Sequence, residues 1–253
     1  LLLYYLTFAD ALMSVYLVTI LVVHYIYSGD VTFIALFWKT SLLCRVMGTI
    51  MIISIQASNA ATCLQAVDRF ICMVWKPFQK HGFKTSQAVT SVCLSCFFVL
   101  LSPMLSIFFS TNDIENTFCI PIGNSLSFLF SILYICINTT CIVLLIMLCI
   151  AIIVTVRNSS KVSTPQNNSL VVTIRLIAII ITNLLPSLTL TLFSVLALSS
   201  ANFPATMEAN VAYFIFPINA SLNPIINTIT TSKFFDYFIA PILVFIKSVS
   251  FGW

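Results

Sequence analysis

Charge is what this chain has least of. Lys, Arg, Asp and Glu make up 7% of its 253 residues, against 60% hydrophobic residues and a mean hydropathy of +1.10. A soluble domain carries about 25% charge, so a water-soluble fold is excluded for want of a polar surface. The chain also lacks a basic segment ahead of its first apolar run and a small-residue cleavage site after it, which argues against a cleavable signal peptide. It has no His-Glu-x-x-His zinc motif, and His24 and His81 fall on opposite membrane sides in the topology below, so no Ser-His pair is available. Internal repeats with paired broken helices, a mark of many transporters, are missing too. An enzyme is therefore not expected, a transporter is the weaker reading, and no nucleic-acid partner is expected.

What is present is a series of apolar runs, each long enough to cross a bilayer at about 20 residues per span. They cover 1–27, 42–75, 86–109, 126–156, 170–198 and 211–229. Lys and Arg accumulate on the cytoplasmic side of short connections. Arg69, Lys76, Lys80, Lys84, Arg157, Lys161, Arg175, Lys233 and Lys247 fall on one side, and Lys39 and Arg45 on the other. The acids Asp30, Asp113, Glu115 and Glu208 join the side poor in basic residues. That side is outside. The expected fold is an all-α multi-pass membrane protein, with a transmembrane bundle over 1–231 and a cytoplasmic juxtamembrane helix and tail over 232–253. Because the chain begins at the cytoplasmic end of its first span, a further helix is expected upstream of Leu1.

Seven of the nine cysteines, Cys63, Cys72, Cys93, Cys96, Cys136, Cys141 and Cys149, lie in apolar or juxtamembrane segments, where a thiol behaves as a small hydrophobe. Cys44 and Cys119 stand beside polar connections on the oxidising side, and one bridge between them is expected, the alternative being two unpaired thiols. Asp10 is a different signal: an ionisable residue inside an apolar span is costly and usually functional.

From Cys44 to the triplet Asp68-Arg69-Phe70 the helix covers about 37 Å at 1.5 Å per residue, from the outer to the inner face. This arrangement resembles the third helix of rhodopsin-like (class A) G-protein-coupled receptors. Leu6-Thr7-Phe8-Ala9-Asp10 is similar to their second helix and Asn219-Ala220-Ser221-Leu222-Asn223-Pro224 to their seventh. Lys233-Phe234-Phe235 resembles their short amphipathic eighth. Six of the seven spans, the second to the seventh, are thus expected here, with the first absent. Within the family the chain resembles the relaxin-receptor branch of leucine-rich-repeat receptors. That likeness rests on Ala9-Asp10-Ala11-Leu12-Met13, Tyr16-Leu17, Trp38, Phe70-Ile71-Cys72-Met73-Val74, Cys119-Ile120-Pro121 and Phe216-Pro217-Ile218-Asn219 through Thr230-Thr231.

The resemblance implies a receptor of the plasma membrane that passes an extracellular signal, such as a peptide or protein hormone, to a heterotrimeric G protein. It implies that Asp10, Ser58, Asn219 and Asn223 line a small polar pocket able to hold a sodium ion, the alternative being a hydrogen-bond network without an ion. No other metal or cofactor is expected. Asp68 and Arg69 would form an intrahelical ion pair that releases the arginine to a G-protein tail, the alternative being an arginine snorkelling to lipid phosphates. Pro186 and Pro224 would be helix pivots. Gln56, His24, Trp38 and Glu208 are weaker candidates for an outer vestibule. Asn138 and Asn219 open glycosylation sequons, but both lie inside spans, where glycosylation is excluded.

Departures from the family pattern cluster on its activation machinery. The seventh-helix tyrosine is Asn227, the fifth-helix tyrosine is Cys149, the sixth-helix tryptophan is Leu184 and the fourth-helix tryptophan is about Cys93. A family serine is Ala220, Pro77 stands one residue late after Arg69, and Gln166 replaces the acid that would face Arg69. Asn227, Cys149 and Leu184 favour a second reading, a non-signalling or decayed receptor homologue acting as decoy, dimer partner or scaffold.

Overall fold

The computed structural model describes residues 1–27, 38, 41–72, 83–109, 119, 127–159, 167–198 and 211–229. Its elements are α1 (Leu2–Tyr27), α2 (Leu42–Phe70), α3 (Thr85–Phe109), α4 (Ser127–Ser159), α5 (Asn167–Leu198) and α6 (Phe216–Ile229), the last entered through a π turn over Val211–Ile215. No strand occurs among the described residues. Lipid offers the backbone no partner, so each segment must satisfy its amides internally, and a helix does so. The same constraint reaches the side chains. Thr7, Thr19, Thr140, Thr189 and Thr228 each donate to the carbonyl four residues back, at 2.7 to 3.0 Å, so hydroxyls on exposed faces are satisfied by their own helix.

Around α2 the other helices form a ring: α1 touches α3, α3 touches α4, α4 touches α5, α5 touches α6, and α6 returns to α1. The central helix itself packs against α1, α3, α4 and α5. This position explains its composition. The apolar window of α2 is 67% buried, against 17% for that of α4, so α2 can carry Ser54, Gln56, Ser58, Asn59 and Thr62 inside the protein. By contrast α4 shows Leu133, Val143, Ile146, Met147 and Ile150 outward, as lipid requires. Four described stretches reach spanning length and hydropathy, Leu2–Ile26, Leu42–Phe70, Ile132–Thr155 and Leu176–Leu196, while Thr85–Leu101 and Tyr213–Ile226 are shorter apolar stretches.

Three apolar clusters divide the interior. An outer one gathers Met13, Tyr16, Ile20, Trp38, Met51, Ile55, Tyr134, Phe193 and Phe216 around the Cys44–Cys119 bridge. Within it Tyr16 meets Phe216 edge to face, at 6.4 Å between ring centres. Towards the cytoplasm, Tyr5, Leu6, Ala9, Ala57, Ala61 and Ile179 form one inner cluster, and Cys63, Ala66, Leu145, Ile152, Leu176 and Ile180 the other. Between outer and inner clusters lies a layer of buried polar side chains. Residues 233–235, expected as an eighth helix, the expected juxtamembrane helix and tail over 232–253, Gln166 and Glu208 lie outside the described residues.

Candidate functional site

At the outer end, Cys44 and Cys119 are joined by a disulfide across a separation of 75 residues, with Cα atoms 5.2 Å apart, and the other seven cysteines are free. The start of α2 is fixed locally as well. Ser41 caps it by accepting from the Cys44 amide at 3.1 Å while its hydroxyl donates to the Trp38 carbonyl at 2.7 Å. Cys119 takes a left-handed backbone, φ 60°, a conformation that disfavours residues with a Cβ. Trp38 is buried beside the bridge, and His24 packs edge to face on Tyr213 at 5.8 Å.

The polar layer is built on Asn223. Its amide lies 3.1 Å from Asp10 Oδ1, 3.1 Å from Asn183 Oδ1 and 3.4 Å from Asn219 Oδ1, and its own carbonyl accepts from Thr182 at 2.9 Å. Asp10, Asn219, Asn223 and Ser58 are all buried. The geometry differs from a four-residue pocket in one respect. Ser58 donates to Asn183 Oδ1 at 2.9 Å, so its hydrogen-bonded route to Asp10 runs through Asn183 and Asn223. Asn183 also donates to Thr62. A second branch leaves Ser187, which donates to Asn59 Oδ1 at 2.8 Å, and the Asn59 amide donates to Asn138 Oδ1 at 3.1 Å.

Sequence reasoning missed Asn183, Asn59, Thr62, Thr182 and Ser187, and met Asn138 only as a sequon. The signal was available: an amide in an apolar span needs a partner as much as a carboxylate does. Asn183 and Ser187, four residues apart, share one helical face across Pro186.

One oxygen of Asp10, Oδ2, is buried and has no hydrogen-bond partner. A buried carboxylate oxygen of this kind is costly unless a proton or a cation compensates it. Among the described residues no three His, Cys, Asp or Glu gather into a metal-binding group. The buried polar side chains of this layer, Ser58, Asn183, Asn219 and Asn223, bring neutral oxygens and amides and none of the thiolate or imidazole groups that a transition metal prefers.

At the cytoplasmic end the expected Asp68–Arg69 ion pair does not form. Asp68 Oδ1 instead accepts from the Phe83 amide at 2.8 Å, holding the chain just before α3. That contact turns the carboxylate toward the entry of α3, and adjacent residues, which diverge by about 100° around the axis, do not face each other by default. Arg69 is exposed, and Phe70 packs half-buried on the inner cluster with Cys149 and Leu184. A cleft of about 400 Å³ opens here, lined by Leu1, Leu2, Leu3, Gln65, Asp68, Arg69, Phe83, Thr85, Ala88, Leu176 and Ile179. Pro186 is buried, Pro224 and Cys93 are exposed on the bundle's outer surface, and the side chain of Asn227 lies outside the described residues.

The model of the seven-transmembrane receptor, rhodopsin family, matches residues 1–227. Relaxin receptor 2 of Canis lupus familiaris is 27% identical over 245 residues, covering 90% of this chain and 33% of the receptor. Relaxin receptor 1 of Rattus norvegicus is 26% identical over 240 residues, with 89% and 32% covered, and human relaxin receptor 2 is 25% identical over 249 residues, with 90% and 32% covered. The chain spans about a third of the length of the curated relatives it matches. A central helix bridged at its outer end and an acid–arginine–aromatic triplet at its inner end belong to the same molecule as that match: this chain is a multi-pass protein of the plasma membrane and a member of the rhodopsin family of seven-transmembrane receptors.

Proposed function

We propose that the chain couples an extracellular signal to a heterotrimeric G protein at its cytoplasmic face. The observation that carries this reading is the cytoplasmic cleft with exposed Arg69 in its wall, at the opposite end of α2 from the disulfide. Among the described residues no carboxylate pairs with Arg69, so its guanidinium can meet the carbonyls of an inserted peptide end, and Leu176 and Ile179 give the cleft an apolar wall for such a segment. A secreted peptide or protein hormone is the proposed ligand class, because the relatives are named for relaxin. We also place a sodium ion at Asp10, with Ser58 and Asn219 as neutral oxygen donors. Bound there, the cation compensates the unpaired Oδ2 and draws α1, α2 and α6 together.

Coupling is expected to be weak. In the family two tyrosine hydroxyls hold the opened helices apart, and here those positions are Asn227 and Cys149. Losing one active-state hydrogen bond costs roughly 0.5–1.5 kcal/mol and lowers the active population about two- to tenfold. Guanine-nucleotide exchange in lipid nanodiscs tests this. The unsubstituted chain should raise exchange modestly, and Asn227→Tyr combined with Cys149→Tyr should raise it about two- to tenfold further. Equal exchange from both chains would dismiss the role given to these departures. Exchange no higher than in receptor-free discs, from either chain, would leave the non-signalling reading. That reading draws on one observation, that Cys149 and Leu184 pack against the inner apolar cluster without supplying a hydroxyl or an indole.

A further inference from the structure

Asn183 sits on a proline-interrupted helix, is buried, and makes its side-chain hydrogen bonds to other helices. Its carbonyl accepts from Ser58 at 2.9 Å and from Asn223 at 3.1 Å, and its amide donates to Thr62. Past Pro186, Ser187 donates to Asn59 at 2.8 Å, and Asn59 to Asn138 on α4 at 3.1 Å. The helix α5 is thus tied to α2 on both sides of its proline. The two ties are not equivalent. Asn183 holds the cytoplasmic half of α5, the half that presents Leu176 and Ile179 to the cleft beside Arg69. Ser187 holds the outer half.

Proline lacks the amide hydrogen that would close the helical bond to the Thr182 carbonyl, so α5 resists bending least at this point. An outward swing of its cytoplasmic half breaks the Asn183 bonds to Ser58, Thr62 and Asn223 together, and leaves the Ser187–Asn59–Asn138 set as a fixed anchor. Inside the bundle the freed amide and carbonyl of Asn183 are costly to leave unpaired.

We propose that Asn183 is a latch, a positioning residue that holds the cytoplasmic half of α5 shut over the Arg69 cleft, with Ser187, Asn59 and Asn138 anchoring the pivot above it. The proposal rests on the G-protein reading of that cleft only for its biological consequence. The motion itself is measurable without a G protein. One interhelical hydrogen bond in a bilayer shifts a two-state equilibrium about threefold, and three of them about 20-fold.

The test is a distance distribution by pulsed electron resonance on the full chain in nanodiscs, in sodium-free choline buffer. Spin-labelled non-natural residues replace Ser86, at the cytoplasmic start of α3, and Ser169, at that of α5. Asn183→Leu should raise the ratio of long to short distances about 20-fold, and Thr62→Val or Ser58→Ala about threefold each. Added to Asn183→Leu, neither should shift it further. Thr189→Val deletes an outward hydroxyl bonded only within its own helix, at 2.8 Å to Leu185, and should leave the distribution unchanged. An unshifted distribution in Asn183→Leu, or an equal shift in Thr189→Val, overturns the latch. Should Asn183→Leu fail to fold, Thr62→Val and Ser58→Ala decide the matter, and no shift in either overturns it. A distance shift without nucleotide exchange keeps the latch and removes the coupling proposal, whereas exchange that rises without a distance shift removes the latch.

Discussion

Asp10 carries one oxygen in a hydrogen bond and one with no partner, both inside the bundle. The two oxygens respond differently to substitution. In Asp10→Asn the side-chain carbonyl keeps the bond from Asn223 while the negative charge disappears. Thermal unfolding should therefore change little in choline buffer, within about 1 kcal/mol for a retained neutral hydrogen bond. Under the sodium proposal, a sodium-dependent rise in the unsubstituted chain should vanish in Asp10→Asn, because the carboxylate proposed to hold the cation is gone. Melting curves of both chains in sodium and in choline chloride check this. A sodium-dependent rise that survives in Asp10→Asn would show that the ion, if bound, is held elsewhere.

The inner end of α2 does its work through a side chain that leaves its own helix. Asp68 is half-buried and accepts from the Phe83 amide, so this carboxylate ties α2 to the entry of α3, across a stretch that begins the basic connection. A hydrogen bond to a charged acceptor contributes about 1.5–3 kcal/mol, with the lower end apt for a group open to water. Replacing Asp68 by Ala should accordingly speed exchange of the Phe83 amide proton about tenfold, while amides in the middle of α2 keep their protection. Hydrogen exchange followed by mass spectrometry reads both. An unchanged Phe83 amide would mean that the contact contributes nothing to order at this edge.

Across the whole bundle, the longest covalent constraint is the Cys44–Cys119 bridge, which closes 75 residues and binds the outer connection to the top of the central helix. Loop closure on this scale stabilises by about 2–4 kcal/mol. Cys44→Ser should lower thermal stability by that amount and loosen the packing of Trp38, whose indole lies in the same outer cluster. Tryptophan fluorescence during melting, with and without reductant, provides the measurement. Reductant should reproduce the effect in the unsubstituted chain and add nothing to Cys44→Ser.

The sequence by itself determined what the bilayer dictates. Spans follow from unbroken apolar length, sidedness from the distribution of Lys and Arg, and the bridge from two cysteines beside outer polar connections, and none of these depends on how one helix is rotated against another. Helix limits followed closely: the run 126–156 is α4, Ser127–Ser159, and 170–198 is α5, begun three residues earlier at Asn167. Rotation is what the sequence left open. In a soluble protein the apolar stripe of a helix names its inward face, but α4 carries apolar residues on its lipid and core sides alike, so no stripe marks which way it faces. Which polar groups meet was therefore decided by tertiary packing alone. It turned Asn138 to Asn59, set Asn183 between Ser58 and Asn223, and pointed Asp68 to Phe83 instead of Arg69, because a hydrogen bond between helices requires both to present a partner at one depth and one angle.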